Sequence, residues 1–400
     1  MRGTTTRLLV AALATTAAPL GAQARAPEAA SFWVRLGRDT VAVERTARRT
    51  DRLEGVLVVR TPRTTLRRYV VELGPSGDAS AWRRLEVRDS VPGEARLRTL
   101  VATRAGDSVR WEEQGPQGVR RAALAAPGPV YPGLPLSYAL YEPMLAAFRR
   151  AAVDSLRVRT WSVGAAALGA VTVRRAGGDT VALALPSGPA RARVAADGRL
   201  LWLDGRGSTF QVEVTRVAPV DVAAQATAWA ALDRQGRGLG PLSPRDTVRI
   251  RLGDAELLVD YGRPAKRGRV IFGNVVPWGR VWRTGANQAT HFRTTADLAI
   301  GGTHVPAGTY TLWTIPNPDG WVLILNRQTG QWGTMYDPAQ DFARIPMQVR
   351  RRATPEERFT IRFEPQGEGR ALLVLAWDDV EAFVPVEVHG RGMQQHHPHP

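Results

Sequence analysis

The 400-residue sequence contains no cysteine. That excludes disulfides, thiolate nucleophiles, thiolate zinc sites, iron–sulfur clusters and an acylated N-terminal cysteine, so stability must come from the core alone. Lysine is nearly as scarce: Lys266 stands alone among 54 basic residues, the rest being arginine. Past the N-terminus no run reaches the roughly 18 apolar residues of a membrane-spanning helix. The motifs of the zincins, the P-loop enzymes, the serine hydrolases with a G-x-S-x-G elbow and the dinucleotide-binding folds are all missing. Nothing in the sequence calls for a cofactor.

What is present begins with a leader. Arg2 and Arg7 precede an apolar run from Leu8 to Leu20, and Ala22-Gln23-Ala24 follows as a small-residue cleavage site. This order predicts a signal peptide over residues 1–24 and export to the periplasm or the extracellular space.

The net charge of +17 raises the question of nucleic acid. Residues 1–245 hold +15 of it and residues 246–390 only +1. The arginines of the first part are dispersed in pairs such as Arg67-Arg68, Arg83-Arg84 and Arg174-Arg175 through alternating segments, the pattern of a solvated sheet face. With an export signal in front, the charge suits an anionic envelope component such as a lipid or glycan, and no nucleic-acid partner is expected.

The fold class expected is all-β, mainly antiparallel. Over residues 25–220, short alternating segments recur between glycine- and aspartate-containing turns such as Gly177-Gly178-Asp179 and Asp197-Gly198, which predicts a curved antiparallel sheet. One helix interrupts it, over Tyr138 to Val153, after a proline- and glycine-rich loop at 127–135. Such a sheet with one helix resembles exported lipid- or ligand-carrier sheets of the lipoprotein-localisation type. Residues 221–244 read as a linker, with a short helical pattern from Val222 to Asp233 and then the Gly/Pro-rich 235–244. Residues 245–390 return to about ten short strands, the last four expected over 344–350, 358–363, 371–377 and 382–388, a β-sandwich or barrel. Residues 391–400 form a polar tail in which His396, His397 and His399 offer loose metal ligands, though a disordered end is the simpler expectation. His291 and His304 lack a nearby carboxylate in sequence, and no metal site is expected.

The most specialised stretch runs from Val259 to Asn287. It gathers Trp278, Trp282, Arg263, Arg283, Asn287 and Lys266 between chain-bending glycines and prolines. Pro264 fixes its own φ and extends the residue before it, so the loop should be ordered enough to aim side chains. Lys266, where every other cation is arginine, suggests a need for a compact ammonium: an anion ligand, a base, or half of a buried ion pair. Alternation would put Trp278, Arg280 and Trp282 on one side and Val281 and Arg283 on the other, with Thr284 to Asn287 forming a turn. Tryptophan beside arginine can stack on sugars and grip carboxylates. The Asp378-Asp379 pair reads as a turn.

Residues 243–388 resemble the bacterial family called domain of unknown function 2911, typical of exported proteins. The matching phrases are S-P-R-D (243–246), Y-G-R-P-A-K-R-G-R-V-I-F-G (261–273), P-W-G-R-V-W-R-T-G-A-N (277–287), V-P-A-G-T-Y-T-L-W-T-I-P (305–316), L-N-R-Q-T-G-Q-W-G (325–333) and Y-D-P-A-Q-D (336–341). The resemblance implies a domain and a compartment and brings no reaction with it.

Three functions remain open on this reading. The first is non-catalytic binding of an anionic or sugar-like envelope ligand by Arg263, Lys266, Trp278, Trp282, Arg283 and Asn287. The second is hydrolysis of an envelope glycan or ester with Lys266 or Asp260 as base, and the third is a structural or assembly role. Val305 to Thr309 reads as a turn into a strand and Trp332-Gly333 with Tyr336 and Asp337 as another aromatic loop; if these and the 259–287 stretch converge at one end of a sandwich, they form a pocket lined by tryptophan and arginine with few acids.

Overall fold

The computed structural model describes residues 28–388 apart from Ala95. The expected signal peptide and the histidine tail lie outside the described residues. The chain is mostly strand and builds two mainly antiparallel sheets, neither of them a closed barrel.

The first sheet has fifteen strands laid out as two meanders. From Glu28–Leu36 the chain steps outward strand by strand to one edge at Gly118–Ala125. It then crosses to the opposite edge at Val130–Gly133 and works back until Glu213–Val217 pairs with Glu28–Leu36. One pairing is parallel, that of Val130–Gly133 with Ser155–Ser162. It falls inside the stretch expected to be a loop; Pro132, which has no N–H to donate, is compatible with this edge position.

Trp82 precedes one strand and Trp161 sits in another ten places further along the sheet. Their rings nevertheless stack at 5.8 Å, and Trp111 meets Trp161 at 5.5 Å. A flat sheet would hold strands ten apart at roughly 4.8 Å per step well out of contact, so this one curls around its own core. Inside the curl lies α1 (Glu142–Ala151), preceded by a 3-10 turn at Ala139–Tyr141. Its buried face is Met144, Leu145, Ala146 and Phe148, and Arg149 and Arg150 occupy its last turn, where cations suit the helix dipole. The helix seats against the Asp197-Gly198 turn. A Cβ at Gly198 would come within 2.3 Å of the Ala146 backbone, so only glycine admits the approach.

A buried carboxylate ties the segment before α1 to the sheet. Glu44 is fully buried and accepts from Tyr69 Oη (2.5 Å), Ser137 Oγ (2.5 Å), and the backbone N–H groups of Tyr138 (2.7 Å) and Ala139 (3.1 Å). Burial raises the Glu44 pKa in spite of these four donors.

The expected short helix forms as α2 (Val222–Arg234), capped by Asp221, and packs on the outer face of the first sheet through Val222, Ala226 and Trp229 against Val43, Val58 and Leu66.

The second sheet has nine strands. The strands expected separately over 344–350 and 358–363 are one, Asp341–Pro365, and those over 371–377 and 382–388 are one, Arg370–Val388. The Asp378-Asp379 pair therefore lies inside the long hairpin and not in a turn: Asp378 has φ 54°, and the register shifts opposite it, where the partner strand carries extra residues between Arg351 and Thr360. The irregularities bend the hairpin, so its first part pairs with Trp321–Asn326 and the rest carries a second layer. Phe292, Leu312, Leu323, Phe359, Leu373 and Trp377 fill the space between, each worth roughly 1.5–3 kcal/mol when fully buried.

Contacts join the two sheets. Arg38 N donates to Arg267 O (2.9 Å), the nearly buried Arg267 pairs with Asp39 (2.5 Å), and Thr61 Oγ1 donates to Gly240 O (3.0 Å).

Candidate functional site

The Val259–Asn287 stretch leaves its strand at Gly262 and runs as an ordered loop to Ala289. Alternation fails in it. Gly273, Gly279 and Gly285 all have positive φ, as do Thr284 (50°) and Asn287 (65°), so the chain turns repeatedly and no extended segment sets the side-chain directions. Backbone bonds to the neighbouring strand fix it instead: Trp282 N donates to Thr314 O (2.7 Å) and Thr314 N to Trp282 O (3.0 Å). Below them Thr290 Oγ1 donates to Thr284 O (2.7 Å).

These contacts aim Trp282 inward. Its ring stacks on Trp377 at 6.0 Å, with 20° between the planes, and meets Phe359 edge-on at 4.9 Å. Trp278 lies apart from it, stacked on Phe272 at 5.5 Å.

The cationic residues divide. Lys266 Nζ is paired with Asp378. Arg263 pairs with Asp246 (2.9 Å) and donates to Phe359 O and Thr360 Oγ1. Both are tied to groups within the second sheet unit. Arg283 is different. It is partly buried, yet among the described residues its guanidinium has no hydrogen-bond or carboxylate partner, and burial holds its pKa below the ordinary arginine value. Its stem passes over Gly333, whose N–H donates to Asn287 O (2.8 Å).

Arg283 opens into a cavity of about 500 Å³ between the two sheets. Trp282 and Trp377 form its apolar floor, Asn287 and the half-exposed Trp332 stand at its side, and Phe210 and Gln211 close it from the first sheet. Among the described residues, no aspartate or glutamate lines it. Of the six residues singled out in sequence, Trp282, Arg283 and Asn287 meet here; Arg263, Lys266 and Trp278 are not among its lining residues. The 325–333 loop joins them through Trp332, whereas the 305–309 turn does not.

Arg269 is a second cation on the wall. Burial, and Arg267 beside it, lower its pKa to about 10. It donates to Lys266 O (3.0 Å), Ala265 O (2.6 Å) and Gln211 Oε1, all uncharged acceptors, so its positive charge is not cancelled by a bonded carboxylate among the described residues. Sequence reading missed Arg269, because its role depends on Gln211, 58 residues earlier in a different sheet.

The candidate bases are engaged: Asp260 pairs with Arg245 (2.9 Å) and Lys266 with Asp378. His291 accepts from Gly330 N (2.9 Å), and its pKa is lowered by burial and then by Arg245. His304 lies at 3.1 Å from Asp297.

Residues 243–386 match the model of the family described as "Protein of unknown function (DUF2911)", and the region before them has no family match. No curated protein matches the chain. Among solved structures, one concerning the cell entry of botulinum neurotoxin type C through two ganglioside molecules aligns at 9% identity over 91% of this chain and 89% of that one, with a TM-score of 0.13. A likeness that slight carries no argument about fold or function.

Proposed function

We propose that this is a non-catalytic binding protein for a small anionic ligand, carboxylate, phosphate or sugar acid, held in the cavity between the two sheets. One observation carries the reading: Arg283 is a partly desolvated guanidinium facing a cavity without acids and has no hydrogen-bond or carboxylate partner among the described residues. An unpaired buried charge costs free energy that a structural role would relieve with a carboxylate, as Arg267 does with Asp39. Leaving it unpaired makes sense where an incoming anion supplies the partner, bidentate and charge-assisted. Arg269 adds a second positive centre, the stacked Trp282 and Trp377 offer an apolar platform for the body of the ligand, and Asn287 a polar contact. The leader sequence supports placing the ligand in the cell envelope.

The test is calorimetric titration of the full chain with inorganic phosphate, sulfate, succinate and glucuronate, beside neutral glucose. Saturable binding of at least one anion, lost in Arg283→Met with the fold retained, supports the reading. Equal affinity in wild type and variant, or no anion bound, overturns it.

A further inference from the structure

A second cavity of about 200 Å³ lies inside the curl of the first sheet, beneath α1 and the segment that Glu44 ties down. Its walls are chiefly hydrocarbon: Leu136, Leu140 and Met144 from the helical side, Val171, Leu203 and Val212 from the sheet. Among the described residues, no charged residue lines it. Phe210 belongs to the walls of both this cavity and the one that holds Arg283, and it is a large hydrophobic residue left 50% exposed. The short segment around it serves both sides at once, Ser208 and Val212 toward the apolar cavity, Thr209 and Gln211 toward the cationic one. An apolar chamber therefore adjoins a cationic, acid-free chamber, with one exposed aromatic ring at the junction.

We infer that the ligand is an anionic amphiphile with a single hydrocarbon chain, its chain in the apolar cavity of the first sheet and its acidic head on Arg283 and Arg269. This rests on the proposed anion site and names the ligand class for it. Water in a chamber walled by leucine, valine and methionine has few hydrogen-bond partners, so a chain displaces it favourably, in proportion to the apolar area covered. The head keeps its charge because two guanidiniums meet it where no carboxylate competes. Exposure of Phe210 gives the chain an apolar surface to cross between the two chambers.

The experiment is titration of the full chain with saturated fatty acids from acetate to palmitate, inorganic phosphate, and 1-hexadecanol as the uncharged counterpart. Affinity is expected to rise at least a hundredfold from acetate to the best-fitting acid. Arg283→Met is expected to weaken every carboxylate at least tenfold and to leave 1-hexadecanol unchanged. Leu203→Trp, which fills the apolar cavity, should remove the chain-length gain while phosphate still binds. Phe210→Gln, at an exposed position that folding tolerates, should reduce the same gain should Leu203→Trp misfold. Phosphate binding through Arg283 with no gain from chain length overturns the amphiphile and leaves the anion site standing. A chain-length gain indifferent to Arg283→Met also overturns it, because the chambers then act separately. Failure of phosphate and of every carboxylate overturns both proposals.

Discussion

The stem of Arg283 crosses Gly333 so closely that a Cβ at that glycine would meet Arg283 Cδ at 2.5 Å and Asn287 O at 2.6 Å. The cation is thus held by the backbone of a neighbouring loop and not by an acid. Gly333→Ala should displace it, costing about 1–3 kcal/mol by overpacking and weakening anion affinity at the same time. Denaturant unfolding and phosphate titration of the one variant check both effects; a stable variant with wild-type affinity would contradict the contact.

Arg283→Met removes a charge that has no hydrogen-bond or carboxylate partner among the described residues. Stability without ligand should stay within about 1 kcal/mol of wild type, or rise, since apolar replacements of buried charges are often neutral or stabilising. Thermal unfolding at low salt measures it. A loss beyond about 3 kcal/mol would mean that Arg283 is structural.

Lys266, the lone lysine, is bound to Asp378, with about a quarter of its side chain exposed. Lys266→Met should cost about 1–3 kcal/mol by leaving a mostly buried carboxylate alone, and should leave anion affinity unchanged. Loss of binding without loss of stability would return Lys266 to the site.

Stability should fall in acid through Glu381. Burial by itself raises its pKa, but Arg362, Arg350 and Arg352 bring it down from 4.5 to about 2. A depressed folded-state pKa contributes stability above the unfolded value and loses it as pH falls from 4.5 towards 2, here about 3 kcal/mol. Denaturant midpoints between pH 7 and pH 2 should show the drop. In Glu381→Gln the starting stability should be lower and the slope over that interval shallower.

The two carboxyl oxygens of Glu44 accept from four donors. Glu44→Gln places an amide among groups that need acceptors, so it should destabilise by about 1–3 kcal/mol and loosen the 134–139 segment that walls the apolar cavity. Hydrogen exchange at Tyr138 and Ala139 reports it; unchanged protection would contradict the tether.

Strand patterning and turn residues are enough to read an all-β chain and the helix of the first sheet, because period-two alternation and glycine turns are local signals. Local signals divide the long hairpin at 341–388 into four strands and a turn, since nothing local distinguishes an irregular register opposite Asp378 from a turn. For the site, sequence pointed to the stretch but gave side-chain directions from alternation, which positive φ at Thr284, Gly285 and Asn287 overrides. That Lys266 meets Asp378 is decided by a residue 112 positions away, and that Arg283 has no carboxylate partner among the described residues is decided by the fold and not by its own segment.

The most direct measurement is the arginine Nε–Hε spectrum of the full chain labelled with nitrogen-15, with the Arg283 signal identified by its absence in Arg283→Met. Addition of the best-binding anion should shift that signal saturably, at the concentration calorimetry gives, with a smaller shift at Arg269. An Arg283 signal that stays in place while the anion binds would contradict the account.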